Sequence, residues 1–211
     1  MGFPFNPTVG ERNIVSEKGM SKGRLEAFSD GVIAIIITIM VLELKVPHGV
    51  DLEALRPVLP IFLSYALSFI FLGIYWNNHH HLLQAAHHVN GAILWANLHL
   101  LFWLSLVPFV TGWVGEYYNA AWPVALYGIV LLFAGCAYFL LTRALIARHG
   151  RDSVLAIALG RDFKGKISVA LYAAAIPLAF VNTVYAYALY ILIAIMWLVP
   201  DRRIERVLEQ E

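Results

Sequence analysis

Three stretches of the chain carry residue types at spacings that could do chemistry. The first is Arg24-Leu-Glu-Ala-Phe28-Ser29-Asp30-Gly31, which runs directly into the apolar segment Val32 to Leu44. A guanidinium, a hydroxyl and a carboxylate at the mouth of an apolar helix could hold a proton, a cation or one another. An ionisable side chain costs roughly 2.5 to 3.5 kcal/mol at mid-bilayer and less near the surface, so such groups are rarely idle. The second is Trp76-Asn77-Asn78-His79-His80-His81, followed by His87-His88, which together hold five of the eight histidines. Consecutive histidines on a helix point in different directions, and neither a thiolate nor a nearby carboxylate completes a tetrahedral set, so no tightly bound metal is expected. A network fits better. A histidine and an asparagine from this stretch would meet Asp30 and Arg24 and satisfy groups otherwise unpaired in low dielectric, with Asn97 and His99 as further candidates. The third is Leu104-Ser105-Leu106-Val107-Pro108-Phe109-Val110-Thr111, in which Pro108 frees a carbonyl and bends its helix. Nothing resembles a nucleophile elbow, a phosphate loop or a heme motif, so neither an enzyme nor a cofactor is expected.

The elements that position these residues are membrane-spanning helices. The chain has 211 residues, is 60% hydrophobic and 14% charged, and has a mean hydropathy of +0.71, which marks an integral membrane protein. Cys136 is the only cysteine, which rules out an intrachain disulfide. A bilayer core of about 30 Å needs about 20 helical residues, and that template predicts six spans. They run from about Leu25 to Val46, Val58 to Trp76, Ala92 to Val114 and Pro123 to Ile146, with two short ones between Ile167 and Val199 joined near Asn182. Asn77 to His88 is expected to be a polar loop. Both the loop before Ile167 and the C-terminal tail are basic, and placing both in the cytoplasm requires an even number of spans between them. All but Lys45 and Arg56 of the 15 lysines and arginines then lie on the cytoplasmic side. The expected organisation is therefore an all-α integral membrane protein with a cytoplasmic tail over 1–22, a transmembrane domain over 23–200 and a cytoplasmic tail over 201–211. The tail carries a short amphipathic helix. The basic loops read as topology signals, and no nucleic-acid partner is expected.

At 100° per residue, Arg24, Phe28, Gly31, Ile35, Thr38, Ile39 and Leu42 share one arc of the first helix about 100° wide. Asp30 and Ser29 fall outside it. If the arc faces a symmetry axis, the carboxylate faces neighbouring helices, the apolar side chains constrict a pore by dewetting, and Thr38 replaces part of an ion's hydration shell. Packing against another helix would give the same pattern, with Thr38 bonded back to the Ala34 carbonyl. Ser29 and Asp30 could cap a short helix, but one beginning at Gly31 would be only about 24 Å long. A helix that starts earlier and carries Asp30 inside it is expected.

Arg24-x-x-x-Phe28-Ser29-Asp30 opening the first span, Trp76-x-x-His79-His80 closing the second, and Leu-x-x-x-Pro108-Phe109-x-Thr111 in the third together resemble the transmembrane protein 175 family, the lysosomal and prokaryotic potassium channels. The resemblance covers most of the first three spans and is specific in order and spacing. It implies the prokaryotic form: six helices per subunit, a homotetramer in a prokaryotic inner or plasma membrane, and a central pore lined by the first helix. No Thr-Val-Gly-Tyr-Gly filter occurs in this sequence. Carried onto it, Ile35 is the bottleneck, Thr38 a hydroxyl layer, and Ile39 and Leu42 continue the lining, with potassium permeating near Ile35 and Thr38. Arg24, Phe28, Ser29 and Asp30 then serve an intersubunit or interhelix structural network with Trp76, Asn77, His79 and His80, and the extra histidines leave open which one is the partner. The function implied is passive passage of potassium, selective or weakly selective, through the lipid bilayer. A proton-coupled secondary transporter using Asp30 and the histidine cluster is the alternative, and a packing-only scaffold a third.

Overall fold

The computed structural model describes residues 21–86, 88–150 and 163–198, and among them it contains helices and no strand. The N-terminal tail up to Met20, His87, most of the basic loop and the C-terminal tail with its expected amphipathic helix lie outside the described residues.

Helix α1 spans Lys22–Ile39 and tightens into a 3₁₀ turn over Met40–Glu43. It starts where the Ser21 carbonyl accepts from the amides of Arg24 and Leu25. Helix and turn together make 22 residues, so Asp30 lies well inside the span, as the length argument requires. A second 3₁₀ stretch, Leu52–Val58, is capped by Asp51, whose Oδ1 accepts from the Ala54 amide at 3.2 Å. It leads into α2, Leu59–Gln84, with Pro60 in the first turn, where a missing N–H costs nothing. Here the structure corrects the sequence reading. Asn77 to Gln84 is helix, not loop, because its polar side chains find partners close by: Asn78 donates to the Ile74 carbonyl at 2.8 Å and Gln84 pairs with His80 at 2.8 Å.

The third expected span consists of two helices. Asn90 caps α3, Gly91–Ser105, by accepting from the Ile93 amide at 3.0 Å, and α4, Val107–Glu116, resumes after Leu106 with Pro108 in its first turn. Helix α5, Ala121–His149, ends at Gly150, whose φ of 91° suits a residue without a Cβ. Helices α6, Phe163–Val181, and α7, Thr183–Leu198, meet at Asn182, whose side chain accepts from the Val184 amide at 2.9 Å. Five stretches are long and apolar enough to cross a membrane, and α7, with 16 residues, is a shorter apolar helix.

Helix α5 is the hub, packed against α3, α4, α6 and α7. The tight contacts use small side chains: Ala134, Ala137, Ala175, Ala179, Ala186 and Ala194 are all buried. Close backbone approach replaces the hydrophobic driving force that lipid removes. Tyr190 of α7 is fully buried on α5, where its hydroxyl donates to the Val124 carbonyl at 2.9 Å and its ring end lies against Gly128. Some polar atoms in the bundle centre are also paired: Thr111 Oγ1 lies 2.7 Å from both the Val107 carbonyl and Ser68 Oγ, and Ser68 shares a 3.0 Å hydrogen bond with the Tyr127 hydroxyl. This hub leaves α1 at the margin, against α2, α3 and α4 on one side only.

Candidate functional site: the two faces of α1

One face of α1 is locked into the subunit. Leu25, Ser29, Ile33, Ile36 and Met40, spaced three and four apart, are buried. At its centre runs a directional chain of hydrogen bonds. His79 Nε2 lies 2.7 Å from Asn97 Oδ1, Asn97 Nδ2 donates to Ser29 Oγ at 2.9 Å, and the Ser29 hydroxyl donates to the Leu25 carbonyl at 2.8 Å. Because the Asn97 amide nitrogen serves Ser29, its oxygen is left for histidine, so His79 carries its proton on Nε2. All three side chains are wholly buried. One residue from each of α1, α2 and α3 is thereby fixed in register.

A second set flanks this chain at the half-buried edge. The Trp76 indole donates to Asp30 Oδ1 at 3.0 Å and stacks on the His80 ring at 5.9 Å, while Glu26 Oε1 sits 3.1 Å from His80 Nδ1. Lys22 Nζ donates to the Gln84 carbonyl at 2.9 Å and ties the start of α1 to the end of α2. One oxygen from each of Glu26 and Asp30 and a ring nitrogen of His80 lie within 4.8 Å of one another, the only such acid–histidine group among the described residues. Three half-exposed donors, one already accepting from Trp76, make a loose set for a transition metal, which prefers distances of about 2 Å and a fourth ligand.

The opposite face of α1 is exposed. Arg24, Ala27, Phe28, Gly31, Ala34, Ile35, Thr38, Ile39 and Leu42 form a continuous exposed stripe, with Ile35 61% and Leu42 76% accessible. The Thr38 hydroxyl bonds back within its own helix, 3.0 Å from the Ala34 carbonyl and 2.9 Å from that of Ile35, and stays exposed. Phe28 and Arg24 stand on the exposed stripe, where the helical arc puts them, and among the described residues Arg24 makes no side-chain hydrogen bond within the subunit. Two expected positions change place. Asn77 is exposed and outside the network. His99 pairs instead with Trp103, which donates to it at 2.9 Å within α3. Both His79 and His80 reach α1, by different routes. Glu26 was not expected in the network, although its spacing of four from Asp30 puts the two carboxyls on one side of the helix and could have signalled it.

Residues 24–108 match the model of the family described as the endosomal/lysosomal potassium channel TMEM175, a segment that begins at Arg24 and ends at Pro108. Over 191 residues the chain is 54% identical to a potassium channel of Chryseobacterium sp. (strain P1-3), covering 90% of this chain and 100% of that one. The chain belongs to the TMEM175 family. A crystal structure of a lysosomal potassium-selective channel TMEM175 homolog from Chamaesiphon minutus superposes with a TM-score of 0.71 at 27% identity, over 85% of this chain and 97% of that one. An endosomal/lysosomal proton channel TMEM175 from chicken is 43% identical over 75 residues, which are 30% of this chain and 15% of that protein. The TMEM175 match covers α1, α2 and α3, the helices that build both faces described above. As a member of a channel family the chain is not an enzyme.

Proposed function

We propose that this chain is the subunit of a homotetrameric potassium channel whose pore is lined by the exposed stripe of α1. The observation that carries this reading is the division of α1: one face is anchored by the His79–Asn97–Ser29 chain, while Ile35, Thr38, Ile39 and Leu42 stand exposed on the other. Four such stripes around an axis give a narrow, low-polarity passage in which Ile35, Ile39 and Leu42 constrict by dewetting and Thr38 offers a layer of hydroxyl oxygens. The small residues Ala27, Gly31 and Ala34 run beside them, and a Cβ added at Gly31 would meet nothing within 4 Å. Such a row lets neighbouring helices approach closely.

The relatives' names support potassium as the permeating ion, and the distribution of basic residues supports a cell membrane with both termini in the cytoplasm. Proton-coupled carriage through Asp30 and the histidines is not favoured: Asp30 is bonded to Trp76, His79 is sealed in the core, and both lie off the exposed stripe. The deciding experiment is flux from potassium-loaded liposomes containing the purified protein. Efflux of potassium with protons at equilibrium across the membrane, charge-balanced by an ionophore, is expected; transport strictly dependent on a proton gradient would replace the channel with the carrier.

A further inference from the structure

Away from α1, the structure holds a crevice of ≈ 450 Å³ between α2, α5, α6 and α7, with Gly135 and Cys136 on its α5 wall. Phe139 and Leu140, which also line it, are exposed, so the crevice communicates with the outside of the subunit. Much of the lining is aromatic, with Phe71, Tyr75, Tyr138, Phe139, Tyr172 and Trp197, which suits a flat ring. Two polar groups within it have no partner. Tyr172 is only 3% exposed, yet its hydroxyl makes no hydrogen bond and is not one of the sealed polar atoms of the bundle, so it opens on the crevice that its ring lines. Asn78 donates its amide nitrogen to the Ile74 carbonyl at 2.8 Å and leaves Oδ1 without a donor. An apolar pocket with a few unmatched polar atoms is the usual form of a small-molecule site, and a hydroxyl buried this deeply without a partner marks the place of a ligand oxygen.

Depth narrows the chemistry. Tyr172 stands midway along α6, about 13 Å of helix rise from either end. The ester carbonyls and headgroup of a phospholipid stay at the interface, and the acyl chain that does reach this depth carries no oxygen. A neutral ring on a long hydrocarbon tail has no charge to hold it at the surface, so it can bring an oxygen to mid-span. We infer that this crevice seats the ring of an isoprenoid quinone, with a ring oxygen at the Tyr172 hydroxyl. The quinone accepts a hydrogen bond there, and the quinol has a hydroxyl to offer Asn78 Oδ1 as well. The site is independent of the pore reading, since its test measures retained ligand rather than current.

The test uses the purified full-length protein in detergent, titrated with decylubiquinone or with decylbenzene, which has the same tail on a ring without oxygens, and weighed intact by native mass spectrometry. Decylubiquinone should be retained well above decylbenzene. Tyr172→Phe removes only an oxygen that has no partner, so the fold keeps its stability, while affinity for decylubiquinone should fall about 3- to 10-fold, the usual worth of one hydrogen bond, and retention of decylbenzene should stay as it was. Gly135→Leu tests the seat itself. A Cβ there meets only the Tyr75 hydroxyl, at 3.7 Å, so the backbone accepts a side chain that takes up room in the crevice, and retention of decylubiquinone should drop. Equal retention of the two probes by the wild type would reduce the crevice to an apolar slot and overturn the proposal, as would retention of neither, the result expected if another part of the chain fills it. Unchanged affinity in Tyr172→Phe would equally overturn it, and so would unchanged retention by a folded Gly135→Leu.

Discussion

At the scale of single residues, the decisive contrast is between buried polar groups with fixed partners and apolar groups left exposed. Asn97 holds the buried chain together by accepting from His79 and donating to Ser29. Its replacement by alanine strands both, at about 1 to 3 kcal/mol for each buried group left unpaired. Thermal unfolding in detergent should show a clearly lower midpoint for Asn97→Ala, while ion preference of the surviving protein stays as in wild type. An altered preference at unchanged stability would move this network from scaffold to pore. The sequence made much of this visible, because a serine, a histidine and an asparagine in apolar surroundings need partners, and few were on offer. It did not separate His79 from His80. Adjacent helix positions diverge by about 100°, and only the tertiary packing shows that the first turns to α3 and the second to the edge of α1. Glu26 escaped notice because a glutamate near a helix mouth reads equally well as a solvated side chain.

At the scale of elements, close approach sets the tolerances. A methyl group at Gly128 would run into the hydroxyl end of Tyr190, which is fully buried and bonded to the Val124 carbonyl. Gly128→Ala should therefore destabilise despite its better helix propensity, by about 1 to 3 kcal/mol for overpacking. Adding Tyr190→Phe removes the clashing oxygen, so the double variant should be more stable than the sum of the two single changes predicts. Additive losses in a double-mutant cycle would show that the contact is not what limits Gly128. Helix existence was legible from hydropathy alone, as was the joint at Asn182. The end of α2 was not, because polar residues that leave the apolar zone inside a continuing helix look the same in sequence as a polar loop. The crevice beside Cys136 was also invisible, since a gap between four helices leaves no mark on the periodicity of any one of them.

At the scale of the whole molecule, the bundle is built so that α5 organises the helices around it and α1 remains half-covered. An exposed apolar stripe is unremarkable on a lipid-facing helix. On α1 it coincides with the segment shared across the TMEM175 family, and it stands opposite a face rigidly held by hydrogen bonds. Rigid support behind a bare surface is what a constriction needs, because side chains that must exclude or admit ions gain definition from a backbone that cannot shift. Intact mass in detergent should accordingly be that of four chains, and a monomer as the sole species would leave the stripe facing lipid. The account's central claim is that potassium passes along Ile35, Thr38, Ile39 and Leu42, and it is tested most directly by the reversal potential under potassium on one side and sodium on the other, measured for wild type and for Ile35→Ala in the same lipid. The wild type should reverse away from zero in the direction of potassium preference, and Ile35→Ala should reverse nearer zero with a larger current. The same reversal potential and the same current in both proteins would contradict the claim that α1 lines the pore.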